Sequence, residues 1–259
     1  MKREQRYKIA VWILSFIVII EGIFILAGRR PGKMAPAPAV IKGRIAIVID
    51  DWGYNLNNLP LAEEIKYPLT VSILPHLSYS RVVAGQLHKR GFQVILHLPM
   101  EPKEKVRLEK NTVMTQMDES TIKNIIDEDL ASVAYARGVS NHMGSMATED
   151  RRTMMAVFRE LKKRNLYFLD SLVSSDSAGF DLAQKMRLGF AKRDVFLDNT
   201  EDPDYIRGQI YKLKSKARVY GRAIGIGHDR RVTLEVLREV MPQIEKEGYK
   251  FVFVSDLVK

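Results

Sequence analysis

The chain has 259 residues, 46% of them hydrophobic, with no cysteine, five histidines and a formal net charge of +10. That composition excludes a disordered chain, a collagen-like chain and a disulfide scaffold, and the length suffices for a substantial core. Without cysteine there are no thiolate zinc ligands, thiol nucleophiles or redox pairs, so any metal must be held by histidine and carboxylate.

The charge is unevenly placed. Residues 1–44 carry nine Lys/Arg against Glu4 and Glu21, whereas the remaining 215 residues carry 32 basic and 29 acidic groups. The basic excess therefore flanks one apolar segment, Ile9 to Gly28 (IAVWILSFIVIIEGIFILAG). A helix of about 20 residues spans about 30 Å, the thickness of one hydrocarbon core. Arg29-Arg30-Pro31 follows directly, where a cleaved signal would carry small residues. We therefore expect residues 1–28 to be a cytoplasmic stub and an uncleaved signal-anchor helix, with Glu21 a tolerated charge. Residues 29–43, rich in Pro, Ala and Gly, read as a linker to a body at 44–259. The body is expected on the periplasmic or extracytoplasmic side of the inner membrane, and nucleic acid is not an expected partner.

From Arg44 onward, short apolar β-branched runs alternate with segments of helical period. Strands are predicted at 45–50, 69–74, 92–98, 138–142, 166–170, 194–198, 222–227 and 250–255. Helices are predicted at 56–66, 79–90, 119–136, 149–164, 178–187, 203–218 and 233–247. Asp118, Thr148 and Asp202-Pro203 read as helix starts, and Gly91, Gly138, Gly221 and Gly248 as helix ends. Pro242 is expected to kink the last helix. The alternation predicts a parallel sheet covered by helices, best satisfied by a (β/α) barrel, distorted or incomplete, with an open doubly wound sheet as the runner-up.

In such folds the functional end is the carboxyl end of the strands. Those ends carry Asp50-Asp51, His76, His97, His142, Asp170, Asp198, His228 and Asp256, so residues scattered in sequence are expected to converge. Two adjacent acids repel unless a cation or proton is shared. One Asp holding a metal while the other acts on water resolves that conflict. His97, with Glu101 four residues on, and His142 in GVSNHMGSM add donors suited to a divalent ion, zinc among them. His76 follows Pro75 at the same rim, and His228 ends the run AIGIGH.

The motifs IVIDDWGYN, LTVSILP, VILHLPMEP, GVSNHMGSMATED, FLDS, RDVFLDN and IGIGH, in that order over residues 44–256, resemble the polysaccharide deacetylase (NodB homology) family in its divergent YibQ-like branch. The resemblance implies a distorted (β/α) barrel and metal-dependent removal of N- or O-acetyl groups from carbohydrate. It implies Asp50 as base, Asp51 as metal ligand and His228 as general acid. The family's His-x-x-x-His-Pro motif falls on His97, Glu101 and Pro102, with Glu101 in place of the second histidine. Its Arg-x-Pro-Tyr motif falls near Asn141 and His142 and is not matched, so His142 is expected to replace the lost nitrogen ligand. The third ligand is thus His142 or Glu101, with Glu101 otherwise a fourth or outer group. Asp170, Asn141 and His76 are expected to bind substrate or support the ligands. The expected partner is an acetylated glycan, peptidoglycan or another polysaccharide. The alternative is a degenerate, membrane-tethered glycan-binding or scaffold protein of the cell envelope.

Overall fold

The computed structural model describes residues 3–28 and 41–259, so most of the 29–43 linker expected from sequence lies outside the described residues. The chain divides near residue 40 into two compact units. The first contains a single helix, α1 (Arg3–Gly28). Over Arg3–Phe24 it is long and apolar enough to cross a membrane, and Trp12, Phe16 and Phe24 are all exposed.

The second unit alternates strand and helix: β1 (Gly43–Trp52), α2 (Leu59–Glu64), β2 (Thr70–Ile73), α3 (Ser80–Lys89), β3 (Gln93–Met100), α4 (Glu119–Ser132), β4 (Gly138–Met143), α5 (Arg151–Lys163) and β5 (Tyr167–Asp170). It continues with α6 (Gly179–Met186), β6 (Phe190–Lys192), β7 (Val195–Phe196), α7 (Pro203–Tyr220), β8 (Arg222–His228), α8 (Arg231–Lys246) and β9 (Tyr249–Val252). All pairings are parallel, in the order β6-β5-β4-β3-β2-β1-β8-β7. The two end strands, β6 and β7, are halves of one extended stretch. Only Arg193 and Asp194 separate them, and those backbone N–H groups donate to Asp170 on β5 and Ile224 on β8. The sheet therefore curls back toward itself as the distorted barrel expected from sequence. β9 wedges beside the first residues of β1 (Gly43–Ala46), while β2 takes the same edge further along (Val48–Trp52).

The strand period divides the core into two layers. Ile45, Ile47 and Ile49 face outward into the large cluster shared with the helices. Ala46 and Val48 face inward, with Ile95, Leu169, Ala191, Ile224, Ile226 and Val252. Val254 and Leu257, in and just after the C-terminal 3-10 turn, join this inner cluster at the amino ends of the strands. Followed toward the carboxyl ends, the inward stripes turn polar: Asp50 after Val48, His97 after Ile95, His228 after Ile226. That change of character along each strand places the site.

Helix starts follow the expected chemistry, with one shift. Asp118 and Asp202 accept from Thr121 and Tyr205 N–H, and Pro203 opens α7. The cap of α5 is Asp150, accepting from Thr153 N–H, and Thr148 instead donates its hydroxyl to the Gly144 carbonyl. The helix predicted at 119–136 ends at Ser132. Gly138 is thus not a helix terminator; it opens β4, where an added Cβ would meet the Tyr167 ring at 2.5 Å. The strand predicted at 194–198 is the short β7, and its companion β6 was not anticipated.

Candidate metal centre

Consecutive strand residues point to opposite faces, so Asp50 and Asp51 would normally diverge. A bulge prevents this. Opposite β2, Ile49 pairs with Val71 and Trp52 with Ile73, so Asp50 and Asp51 together oppose Ser72. Asp51 takes up the extra length in the left-handed region (φ 64°), which short polar side chains tolerate better than branched ones. Both carboxylates then face the interior.

There Asp51 meets two imidazoles. Its Oδ1 lies 3.2 Å from His97 Nε2 on β3 and 3.1 Å from His142 Nδ1 on β4. The ligand atoms of Asp51, His97 and His142 lie within 4.8 Å of one another. Asp51 Oδ1 is buried and has no hydrogen-bond partner despite these short separations. A carboxylate oxygen aimed between two ring nitrogens, but hydrogen-bonded to neither, is a donor set that fits a cation. His97 Nδ1 contacts Ser140 Oγ at 2.8 Å, and Ser140 contacts Ser72 at 2.6 Å. This chain fixes the ring so that Nε2 faces Asp51, the outer support that metal-binding histidines require. The two rings meet edge to face at 5.0 Å. His142 is followed by Met143 and Gly144 at φ 53° and 90°, a turn that ends β4.

Asp50 and His228 flank this set from adjacent strands, in direct register across β1 and β8. Asp50 is buried, with Oδ2 3.8 Å from His97 Nε2 and Oδ1 unpartnered. Burial pushes its carboxyl above the ordinary range, with the Asp51 charge adding to the shift against the pull of His97. For Asp51 burial acts in the same direction, but the His142 and His97 contacts outweigh it and hold the carboxyl far below its usual value. His97 is pushed up: its burial opposes charge, yet Asp50 and Asp51 prevail.

His228 Nε2 is 3.9 Å from Asp51 Oδ2, while its Nδ1 contacts Asp198 Oδ1 at 3.0 Å. Asp198 is fully buried. Its Oδ2 accepts from the His228 backbone N–H at 2.8 Å and the Thr233 hydroxyl at 2.7 Å. Burial alone would raise the Asp198 carboxyl; the His228 hydrogen bonds reverse that and keep it ionised. Phe196 packs 5.1 Å from the His228 ring, and the Arg193 guanidinium lies over the Phe196 ring at 4.6 Å.

The remaining sequence candidates lie elsewhere. Glu101 is outside the donor cluster, and its carboxylate accepts from Thr115 N–H at 2.5 Å. Asn141 accepts from Ser171 N–H and donates to the Met143 carbonyl, stitching β4 to the end of β5. Asp170 shares the outward register of Phe168, and its oxygens accept from Leu172 N–H and the Ser177 hydroxyl. His76 contacts Asp129 of α4 at 2.8 Å rather than the cluster. Asp198 and Ser140 are the residues whose roles sequence reasoning did not identify. Asp198 was visible as a strand end, but its partner needed the β7–β8 register.

The profile of the divergent polysaccharide deacetylase family matches residues 47–258. The chain belongs to that family. It is 36% identical over 208 residues to the uncharacterized protein YibQ of Escherichia coli K12, a match covering 80% of this chain and 65% of that protein. In structure it is similar to the uncharacterized protein ATU2773 of Agrobacterium tumefaciens C58 (TM-score 0.81, 22% identity, 86% of this chain and 92% of that one). It is also similar to the catalytic domain of a peptidoglycan N-acetylglucosamine deacetylase from Eubacterium rectale (TM-score 0.55, 13% identity, 88% and 93%). At these identities the structural likenesses establish the fold, a curled parallel half-barrel shared with carbohydrate deacetylases.

Proposed function

We propose that this chain is a metal-dependent hydrolase removing N- or O-acetyl groups from a cell-envelope glycan, peptidoglycan or a related polysaccharide. The observation that carries the reading is the buried, unpartnered Asp51 Oδ1 between His97 and His142, with Asp50 on one side and the Asp198-braced His228 on the other. Asp51, His97 and His142 hold a divalent cation, zinc by the character of two nitrogens and one oxygen. The chemistry such an ion supplies when bound is Lewis acidity toward an acyl oxygen and a lowered pKa for water. The chain's own groups divide the proton work. Asp50, unpartnered at Oδ1, accepts the proton of the attacking water. His228, with Nδ1 turned to Asp198, donates from Nε2 to the departing amine or alkoxide. The apolar helix α1 anchors the chain, uncleaved, in the inner membrane with residues 44–259 on the periplasmic or extracytoplasmic side.

One observation favours a second reading, a tethered glycan-binding or scaffold protein without turnover. Glu101, in the position of the standard family's second histidine ligand, spends its carboxylate on a backbone N–H. Acetate release from chitooligosaccharides and peptidoglycan fragments, measured across divalent metals, separates the two. Release that disappears in Asp50→Asn while metal content is unchanged supports the hydrolase. Glycan binding without release under any metal supports the scaffold, and failure to retain metal removes the hydrolytic scheme.

A further inference from the structure

The barrel's other end carries a feature that the chemistry above does not use. At the amino ends of adjacent strands, Arg222 of β8, Arg44 of β1 and Lys250 of β9 stand in one register row. Each shares the inward parity of its strand, whose following residues Ile224, Ala46 and Val252 line the inner cluster, so the row rims the lower mouth of the curl. Like charges side by side across a sheet repel. Among the described residues no side-chain carboxylate pairs with these. Among the described residues Arg44 and Arg222 donate only to the Asp256 and Leu257 carbonyls, and Lys250 makes no ion pair. Exposed Lys42, Arg218 and Lys259 lie around the same rim, also without ion pairs among the described residues. The neighbouring Lys214 and Arg90, by contrast, are paired with Glu247 and Glu63. The acids close by, Asp194 and Asp256, are occupied by the backbone N–H groups of Ile224 and Phe253.

Apolar side chains protrude among these cations. Val219 is 72% and Tyr220 73% exposed at the end of α7, and Ile41 is 53% exposed where the described body begins. Arg44 N–H donates to the Gly221 carbonyl and Lys42 N–H to the Gly248 carbonyl, so all three apolar residues border the charged row. A groove of about 760 Å³ continues the surface, floored by Phe180, Leu188 and Phe190 and edged by Arg222 and Lys259.

We infer that the amino end of the barrel is a docking face for an anionic bilayer, with the Arg222–Arg44–Lys250 row on lipid phosphates and Val219 and Tyr220 in the interface. Cations at an acidic membrane surface, with an aromatic at headgroup depth, provide that complementarity. The inference rests in part on the anchoring reading, because the chain reaches the body at this rim. Docking here turns Asp51, His97 and His142 away from the lipid toward whatever glycan lies beyond.

The absence of cysteine allows a clean test on the full chain. Val219→Cys and Val173→Cys, the latter at the carboxyl-end rim, are each labelled with an environment-sensitive fluorophore and reconstituted into two vesicle types. One is phosphatidylcholine and the other phosphatidylcholine with phosphatidylglycerol. The probe at 219 is expected to shift blue and brighten only with phosphatidylglycerol and to revert at high salt; the probe at 173 stays aqueous in both. In the 219 background, Arg218→Glu with Lys250→Glu and Lys259→Glu should lower the docking equilibrium constant at least roughly a hundredfold, at about fivefold per cation removed. An identical signal at 219 in both lipids, a shift surviving the triple reversal, or an equal shift at 173 would overturn the inference. Extraction of the chain by an alkaline wash afterwards would remove the anchoring reading alone, since the probe contrast is read beforehand.

Discussion

At the scale of single residues, the centre works by denying its oxygens ordinary partners. Asp51 Oδ1 and Asp50 Oδ1 are both buried without hydrogen bonds, an arrangement that a cation or a reacting proton completes. Replacement of Asp51 by Asn should therefore abolish metal retention, read by elemental analysis, and should lower thermal stability in chelator near neutral pH, because the carboxylate held ionised by His97 and His142 is lost. Asp50→Asn should keep the metal and lower turnover by about 10²–10⁴-fold, the usual contribution of a positioned base. Asp198→Asn tests the bracing of His228. Turnover should fall on the order of tenfold or more with the substrate KM unchanged, and the limb of the rate profile assigned to His228 should move to lower pH as its anionic partner is lost. The candidate donors were legible as residue types at strand ends, helped on β1, β3 and β8 by inward stripes that change from apolar to polar. That His142 and not Glu101 joins the donor cluster was not. It depends on the left-handed turn after His142 and on Thr115 N–H reaching Glu101, and neither leaves a mark in residue spacing.

Element by element, geometry at strand ends decides what the side chains can do. The bulge at Asp50–Asp51 converts an alternating pair into a convergent one, and no glycine or proline announces it in the sequence. The end of β4 depends on a glycine more directly. Gly144 sits at φ 90°, and an added Cβ would lie 2.9 Å from Met100 Cβ. Alanine there must strain the turn or displace β3 from β4, which carry His97 and His142. Gly144→Ala should cost about 1–3 kcal/mol, measured by denaturant unfolding, and weaken metal affinity as the two rings lose their common focus. Helices and strands were read well where caps were chemical, as at Asp118 and Asp202. They were read poorly where tertiary pairing decides, as for β6 and β7, three and two residues long, whose strand character comes from β5 and β8 on either side.

For the whole molecule, the loop between β3 and α4 is tied down on both sides of the cleft. Tyr54, just beyond β1, donates to Glu109, while Asn111 donates to Glu128 and reaches His76 and Asp129 on the other flank. Asp129 is fully buried and only its Oδ1 is engaged; Oδ2 has no partner. Burial accordingly raises its carboxyl from 3.8 to about 6, in spite of His76 and Asn111. The folded chain then holds a proton that the unfolded chain releases between those two values. This group's contribution is complete below about pH 4, and it is lost as pH rises to about 6, a total of about 2–3 kcal/mol by linkage. Other raised carboxyls, such as Asp229 beside Asn58, titrate over the same range, so the difference from a variant isolates the effect. Asp129→Asn keeps the shape and an acceptor for His76 but cannot ionise. Its unfolding midpoint should match the parent near pH 4 and exceed it by roughly 5–10 °C above pH 6, at a few degrees per kcal/mol. The gap should open between pH 4 and 6 and stay constant thereafter. A midpoint difference independent of pH would mean that Asp129 is ionised throughout, stabilised by the histidine as an ion pair, and that the loop is held by charge instead of by a shared proton.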